Sequence, residues 1–389
     1  MSTTDNKINS NNAGLYIHIP FCIKKCPYCD FYSVTDTTLR KKYLKALHLE
    51  IQMTGNLPLT FDTIYIGGGT PSMLSAESIN RIIESARRTY RFLPDSEVTI
   101  EVNPGTVTRE QLRDYRQAGI NRINIGVQSF RPENLEFLGR IHTAMEARQA
   151  VEWARMTGFD NVGIDLIYAL PGQSPDSWKR DLDAAVVYAP QHLSCYTLTF
   201  EPGTPMGKEL QAGSIRPLEE KAAGDLFTLT AEYLTGKGYE HYEVSNFSAG
   251  AAFKSRHNCK YWSFAPYLGL GPSAHSFMEP ERFWNTPDVS DYIKELEDRH
   301  LPRGGQEILN QEQLMTEAVF LGLRTAEGID IGRFERKFDV RFQDLFAKVL
   351  EEFQEKKLLE VTAERCTLTR SGLLLLDAIA ASFADHVPE

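Results

Sequence analysis

Residues 14–33 read GLYIHIPFCIKKCPYCDFYS, and the fold follows from this stretch and its echoes. LYIHIP is a short run of β-forming residues closed by a proline, and Cys22, Cys26 and Cys29 come directly after it in the spacing C-x-x-x-C-x-x-C. Five further β-rich runs succeed it: TIYIGG, VTIEVN, RINIGV, VGIDLIY and LSCYTLTF. Helix-length segments at 39–53, 78–90, 110–118, 143–157 and 176–188 separate them. Strands that alternate with helices of this length imply crossover connections, and hence a parallel sheet in an α/β fold. Six units allow an open doubly wound sheet or a barrel. The residues of chemical interest decide between them, because Cys22, Gly67–Thr70, Glu101, Asn103, Gln128 and Asp165 fall on or just after different strands. A rim built from the C-terminal ends of several strands is how a barrel makes its active site. The sequence predicts a partial (β/α)6, TIM-like barrel over residues 1–205.

Beyond Phe200 the pattern changes. Residues 206–305 read as an irregular, aromatic-rich extension. Residues 306–389 read as a smaller, mostly helical domain with two short β-like runs near 358–361 and 366–369, winged-helix-like in its order.

Bulk properties exclude several classes. The chain of 389 residues is 42% hydrophobic and 24% charged, the balance of an ordinary globular protein. Its net charge of -10 and lack of a basic, aromatic-interleaved stripe argue against nucleic acid as a partner. The polar start MSTTDNKINSNNAG has no signal-peptide core, and no segment approaches ~18 continuous apolar residues, so the expected location is cytoplasmic. Membrane contact is expected to be peripheral at most, through LLLLDAIAASF at 373–383, which reads first as a core helix.

Six cysteines, three of them within eight positions, do not form a disulfide framework in a chain this long. Thiolates are the soft ligands an iron–sulfur cluster requires. A zinc site would call for four protein ligands. Three thiols on a four-iron cluster leave one iron open to a chelating amine and carboxylate, such as those of S-adenosylmethionine (SAM). Cys195 and Cys366, isolated in the sequence, read as buried structural thiols.

CIKKCPYCDFYS resembles the radical SAM signature, and the chain from about Gly14 onward resembles the oxygen-independent coproporphyrinogen III oxidase family, in particular its HemW branch of haem chaperones. The resemblance implies a [4Fe-4S] cluster on Cys22, Cys26 and Cys29. It also implies a SAM pocket formed by Gly68, Gly69 and Thr70 in the glycine turn after the second strand, with Glu101, Gln128, Asp165, Arg140, Tyr16 and Tyr28. Arg140 would neutralise the SAM carboxylate.

The same resemblance separates carrier from enzyme. In the dehydrogenases of the family another cysteine follows the third by two positions; here that position is Phe31. Those proteins also have a longer segment before the cysteines than the roughly twenty residues here, which implies a more open site. His257-Asn258-Cys259-Lys260-Tyr261-Trp262 resembles the HNxxYW motif of haem-binding HemW proteins, with His257 the expected iron ligand and Cys259 and His275 the alternatives. The implied partners are haem, haem-requiring acceptors such as respiratory proteins, and an electron donor such as flavodoxin or ferredoxin. A coproporphyrinogen III dehydrogenase, or a radical SAM enzyme with another substrate, are the competing readings.

Overall fold

The computed structural model describes residues 12–387. The polar start of the chain therefore lies outside the described residues through position 11. Six parallel strands form the central sheet: β1 (Ala13–Ile19), β2 (Thr60–Gly68), β3 (Arg91–Val102), β4 (Arg122–Gln128), β5 (Val162–Tyr168) and β6 (His192–Thr197). They lie side by side in chain order, each joined to the next by a helical crossover.

Local chemistry sets the crossovers. The helix Ala76–Thr89 starts at Ser75, whose side chain accepts from the Ser78 N–H, and buries Ile79, Ile82, Ile83 and Ala86 on one face. The helix Ala144–Met156 opens with a reciprocal capping box between Thr143 and Glu146. On the strands, alternation divides the side chains. Leu15, Ile17, Ile64, Ile66, Val98, Ile100, Ile123 and Ile125 are buried in the main core. Their neighbours Tyr16, Tyr65, Thr99 and Arg122 are register partners across β1 to β4 and form one level of a polar barrel interior.

The barrel is open, and both edges are extended. On the β1 side the sheet continues through β9 (Tyr267–Leu270), parallel to β1, and then antiparallel β10 (His275–Met278), β11 (Glu281–Asn285) and β12 (Arg303–Ile308). On the β6 side, β8 (Asn246–Ser248) pairs antiparallel with β6, and β7 (Glu240–Glu243) lies outermost. Residues 206–305, read from sequence as irregular, thus carry sheet structure. Their strands are three to five residues long apart from β12, too short for an alternation pattern to stand out.

The C-terminal part has its own core of Met315, Val319, Leu323, Phe334, Phe338, Phe342 and Phe346, among others. Its three-stranded sheet is formed by β13 (Ile329–Asp330), β14 (Leu359–Val361) and β15 (Arg365–Leu368) in the order β13-β15-β14, the last two an antiparallel hairpin. Among the described residues no helix is long and apolar enough to cross a membrane.

Candidate cofactor site at the barrel rim

The chain leaves β1 through Pro20 and Phe21 into the cysteine loop. The loop is closed at its base: Cys22 N–H donates to Val34 O at 2.9 Å and Val34 N–H to Pro20 O at 2.7 Å. Cys22 is buried, and Cys26 and Cys29 are partly exposed. All three line one cavity of about 1450 Å³.

The glycine turn explains itself against this loop. A Cβ on Gly69 would stand 2.8 Å from Phe21 O and 3.1 Å from Cys22 Sγ. Gly68 has φ +107°, and a Cβ there would meet the His18 ring at 2.6 Å. Glycine is needed here so that strand β2 can end in contact with the cysteines, and Thr70 then donates its hydroxyl to Cys22 Sγ at 3.4 Å.

Glu101, Gln128, Arg140, Asp165 and Tyr28 line the same cavity. Tyr65 donates to Glu101 Oε1 at 2.7 Å, while burial, joined by the charge of Asp165, pushes the Glu101 carboxyl up to about 7. Asn124 donates to Asp165 Oδ2 at 2.6 Å, and burial raises this carboxyl too. Arg140 donates to Gly126 O at 2.8 Å, to Tyr28 Oη at 3.3 Å and to Cys26 Sγ at 3.5 Å. Gln128 holds a left-handed φ of 67° at a register shift in β4, a strained placement of the kind found at ligand sites. Gln128 Oε1, Asp165 Oδ1 and Arg140 Nε are buried and have no protein partner. Unpaired buried polar atoms around one cavity are what a polar ligand would satisfy.

Among the described residues no three His, Cys, Asp or Glu side chains converge closely enough to hold a single metal ion. A four-iron cluster spans a wider triangle, and three soft thiols on one closed loop suit it. The donor set fits.

Tyr16 and His257 lie apart from this wall. The Tyr16 hydroxyl is 3.0 Å from His18 Nδ1 and its ring lies beside Tyr65, inside the barrel and behind the lining residues Gly68 and Glu101 that those two side chains meet. His18 itself points inward, and burial lowers its imidazole to about 4, so it is neutral at pH 7. His257 sits on the helix Arg256–Trp262 beneath the other end of the barrel, against Gly14 at the start of β1. It is 1% exposed, with Nδ1 2.8 Å from Thr63 Oγ1 and Nε2 2.9 Å from Tyr261 Oη. Cys259 is buried on the same helix, its thiol pushed up to about 12 by burial. His275 is on β10, stacked on Trp284. None of the three lines this cavity. A motif records residue types and spacing but not which end of a barrel the helix closes.

Sequence reasoning missed the outer wall. Phe227 and Gly224 from the helix Glu220–Gly236, Arg324, and Leu374 and Leu375 from the C-terminal part face the same cavity. The two leucines are 44% and 48% exposed. LLLL breaks between the helices Arg370–Leu373 and Leu376–Ala384, so Leu376 packs into the C-terminal core as well as bordering the cavity, while the two before it stay half exposed at the cavity.

The radical SAM superfamily pattern matches residues 16–185, and the HemN C-terminal domain pattern matches residues 309–375. The heme chaperone HemW of Bacillus subtilis is 34% identical over 376 residues, 95% of this chain and 98% of that one. This chain belongs to the HemW family of radical SAM proteins. The HemW of Escherichia coli is 40% identical over 266 residues, 67% of this chain and 69% of that one. Among solved structures, the coproporphyrinogen III oxidase HemN from E. coli superposes with a TM-score of 0.83 at 24% identity, over 97% of this chain and 91% of that one, which shows the shared fold. In this member of the HemW family, Phe31 is 68% exposed and lines the cavity two positions after Cys29.

Proposed function

We propose that this protein is a haem carrier of the radical SAM type. Cys22, Cys26 and Cys29 would hold a [4Fe-4S] cluster, with SAM against Gly68, Gly69, Thr70, Glu101, Gln128, Arg140 and Asp165. Haem would occupy the outer part of the same cavity, for delivery in the cytoplasm to haem-requiring proteins such as respiratory enzymes. Held on Cys22, Cys26 and Cys29 and reduced by a donor such as flavodoxin or ferredoxin, such a cluster would supply one electron for cleavage of the SAM sulfonium.

One observation carries the reading. The cavity of about 1450 Å³ exceeds the ~300–1,000 Å³ of a single-ligand pocket, and its two halves differ in chemistry. The inner half presents thiols, glycine backbone and unpaired polar groups. The outer half presents Phe227, Leu374 and Leu375, a surface for a flat apolar macrocycle, beside a charged lining in which Lys221 pairs with Asp225 and Arg324 with the buried Glu243. The residues themselves orient and exclude: Arg140 and Asp165 provide charges for the two ends of an amino acid, and the leucines keep water from a bound ring. The names of the matched relatives support haem as the occupant.

The test is an anaerobic haem titration of the cluster-reconstituted protein, followed by absorbance. Saturable binding of one haem per chain supports the carrier. Lack of saturable binding, together with carbon dioxide release from coproporphyrinogen, would replace the carrier with a dehydrogenase.

A further inference from the structure

We infer that His257 is a positioning residue for the SAM pocket, acting through Tyr65 on the Glu101 carboxylate from the opposite end of the barrel. The inference rests on the reading of the inner cavity as the SAM site and concerns residues that do not touch the ligand.

The helix Arg256–Trp262 is bolted to the barrel floor. Glu97 at the start of the regular part of β3 accepts the backbone N–H groups of Arg256 and His257, each at 3.1 Å, the usual place for a carboxylate at a helix start. Lys260, 1% exposed, pairs with Asp62 Oδ1 at 2.6 Å and donates to Asn12 O at 2.8 Å. No Cβ fits at Gly14, where it would lie 3.0 Å from the His257 ring and 3.0 Å from Lys260 Cδ, so strand and helix are in direct contact.

From this floor the imidazole reaches up the barrel axis. Its ring stacks on Tyr65 with centroids 5.1 Å apart and planes at 27°. Its two nitrogens hold Thr63 and Tyr261, so it cannot turn without breaking both bonds. Tyr65, which also packs against Tyr16, itself 6.4 Å from the imidazole, carries its hydroxyl to Glu101 Oε1 at 2.7 Å. Gly67 leaves room for that bond, since a Cβ there would stand 2.9 Å from the Tyr65 ring and 3.1 Å from the Glu101 carboxyl. Glu101 lines the cavity and His257 does not. The same helix supports the other wall: the Arg324 guanidinium, at the cavity margin, lies 4.5 Å above the Trp262 ring. The motif therefore supports Glu101 through Tyr65 and Arg324 through Trp262, two members of the cavity lining, without lining it itself.

The experiment uses the full-length, cluster-reconstituted protein and measures SAM affinity by equilibrium dialysis across pH, with haem titrations in parallel. The variants are His257→Ala, His257→Gln and Tyr65→Phe; the last keeps the ring and removes only the hydroxyl, so it remains informative if the His257 variants do not fold. Loss of the Tyr65 hydrogen bond to the carboxylate predicts SAM binding weaker by about tenfold in Tyr65→Phe, with a smaller loss in His257→Ala, where the bond remains but Tyr65 loses its stacking support. The pH below which SAM binding fails moves upward in Tyr65→Phe, where the carboxylate has lost a donor, and by less in His257→Ala, where that donor is only loosened. Partial recovery is expected in His257→Gln, and haem affinity changes by less than about twofold in each variant. Haem binding lost in His257→Ala, with SAM affinity and its pH midpoint unchanged in Tyr65→Phe, would overturn the inference and restore His257 as an iron ligand. A wild type that binds no SAM would instead remove the premise that the inner cavity is a SAM site.

Discussion

Replacing Leu374 and Leu375 together by alanine isolates the outer wall of the cavity. Both side chains are about half exposed, at 44% and 48%, and both face the space assigned to haem. Full burial of a leucine is worth about 1.5–3 kcal/mol, so covering the exposed half of each contributes about 1 kcal/mol. The double variant should therefore bind haem about 2 kcal/mol less tightly, roughly thirtyfold. Folding should change little, because the lost atoms were not packed in the core. The assay is the anaerobic haem titration, with thermal unfolding as the check on folding and Met145→Ala, at a side chain 74% exposed and away from the cavity wall, as the control. Haem affinity within about twofold of wild type, in a double variant that folds normally, would refute the assignment of haem to this wall.

The Glu101 carboxyl, raised to about 7, is protonated in part at neutral pH, and in the proposed SAM site it serves as an acceptor. SAM affinity should fall as pH drops from 8 to 6, approaching a tenfold loss per unit below 7, and Glu101→Gln should flatten this profile in equilibrium dialysis. Gly69→Ala would push a methyl group against Phe21 O and Cys22 Sγ, so reconstituted protein should hold markedly less iron per chain than wild type, measured by metal analysis. Glu50, buried beneath Tyr292, Asn285 and Gly271, has its carboxyl raised to about 7 by burial against an ordinary value of 4.5. The folded state then holds the proton more tightly than the unfolded chain, so this group's contribution is full below 4.5 and is lost as pH rises through 7. Between pH 6 and 8 wild type should lose about 1 kcal/mol more stability than Glu50→Gln in urea unfolding, and equal losses would contradict the raised value.

The parallel sheet was legible because each of its strands had to be followed by a crossover, and the helices carry their own start signals. The helix expected over 143–157 is found as Ala144–Met156, opened by the Thr143 and Glu146 capping box, and that expected over 39–53 is Arg40–Met53. The rim residues were legible for the same reason, since a polar side chain or glycine at a strand end falls on one face of the barrel wherever the strands are parallel. Depth was not legible. In β1 both alternating sets of side chains are largely covered, so sequence gave no phase for Tyr16 and His18, and only their contacts with Tyr65 and Tyr32 place them inside the barrel. His257 carries the same residue type whether it meets a ligand or a floor of tyrosines; its two nitrogen partners are distant in sequence or hidden in the helix turn. Leu374 and Leu375 are indistinguishable in a run of four leucines from Leu376, which enters the core, because the helix break that separates them comes from packing.

Whether one cavity holds SAM and haem side by side is decided by a haem titration of cluster-reconstituted protein already loaded with radiolabelled SAM, reading haem absorbance and released label together. One haem should bind per chain while the label stays bound. Release of SAM in step with haem binding, or no haem binding at all, would contradict it.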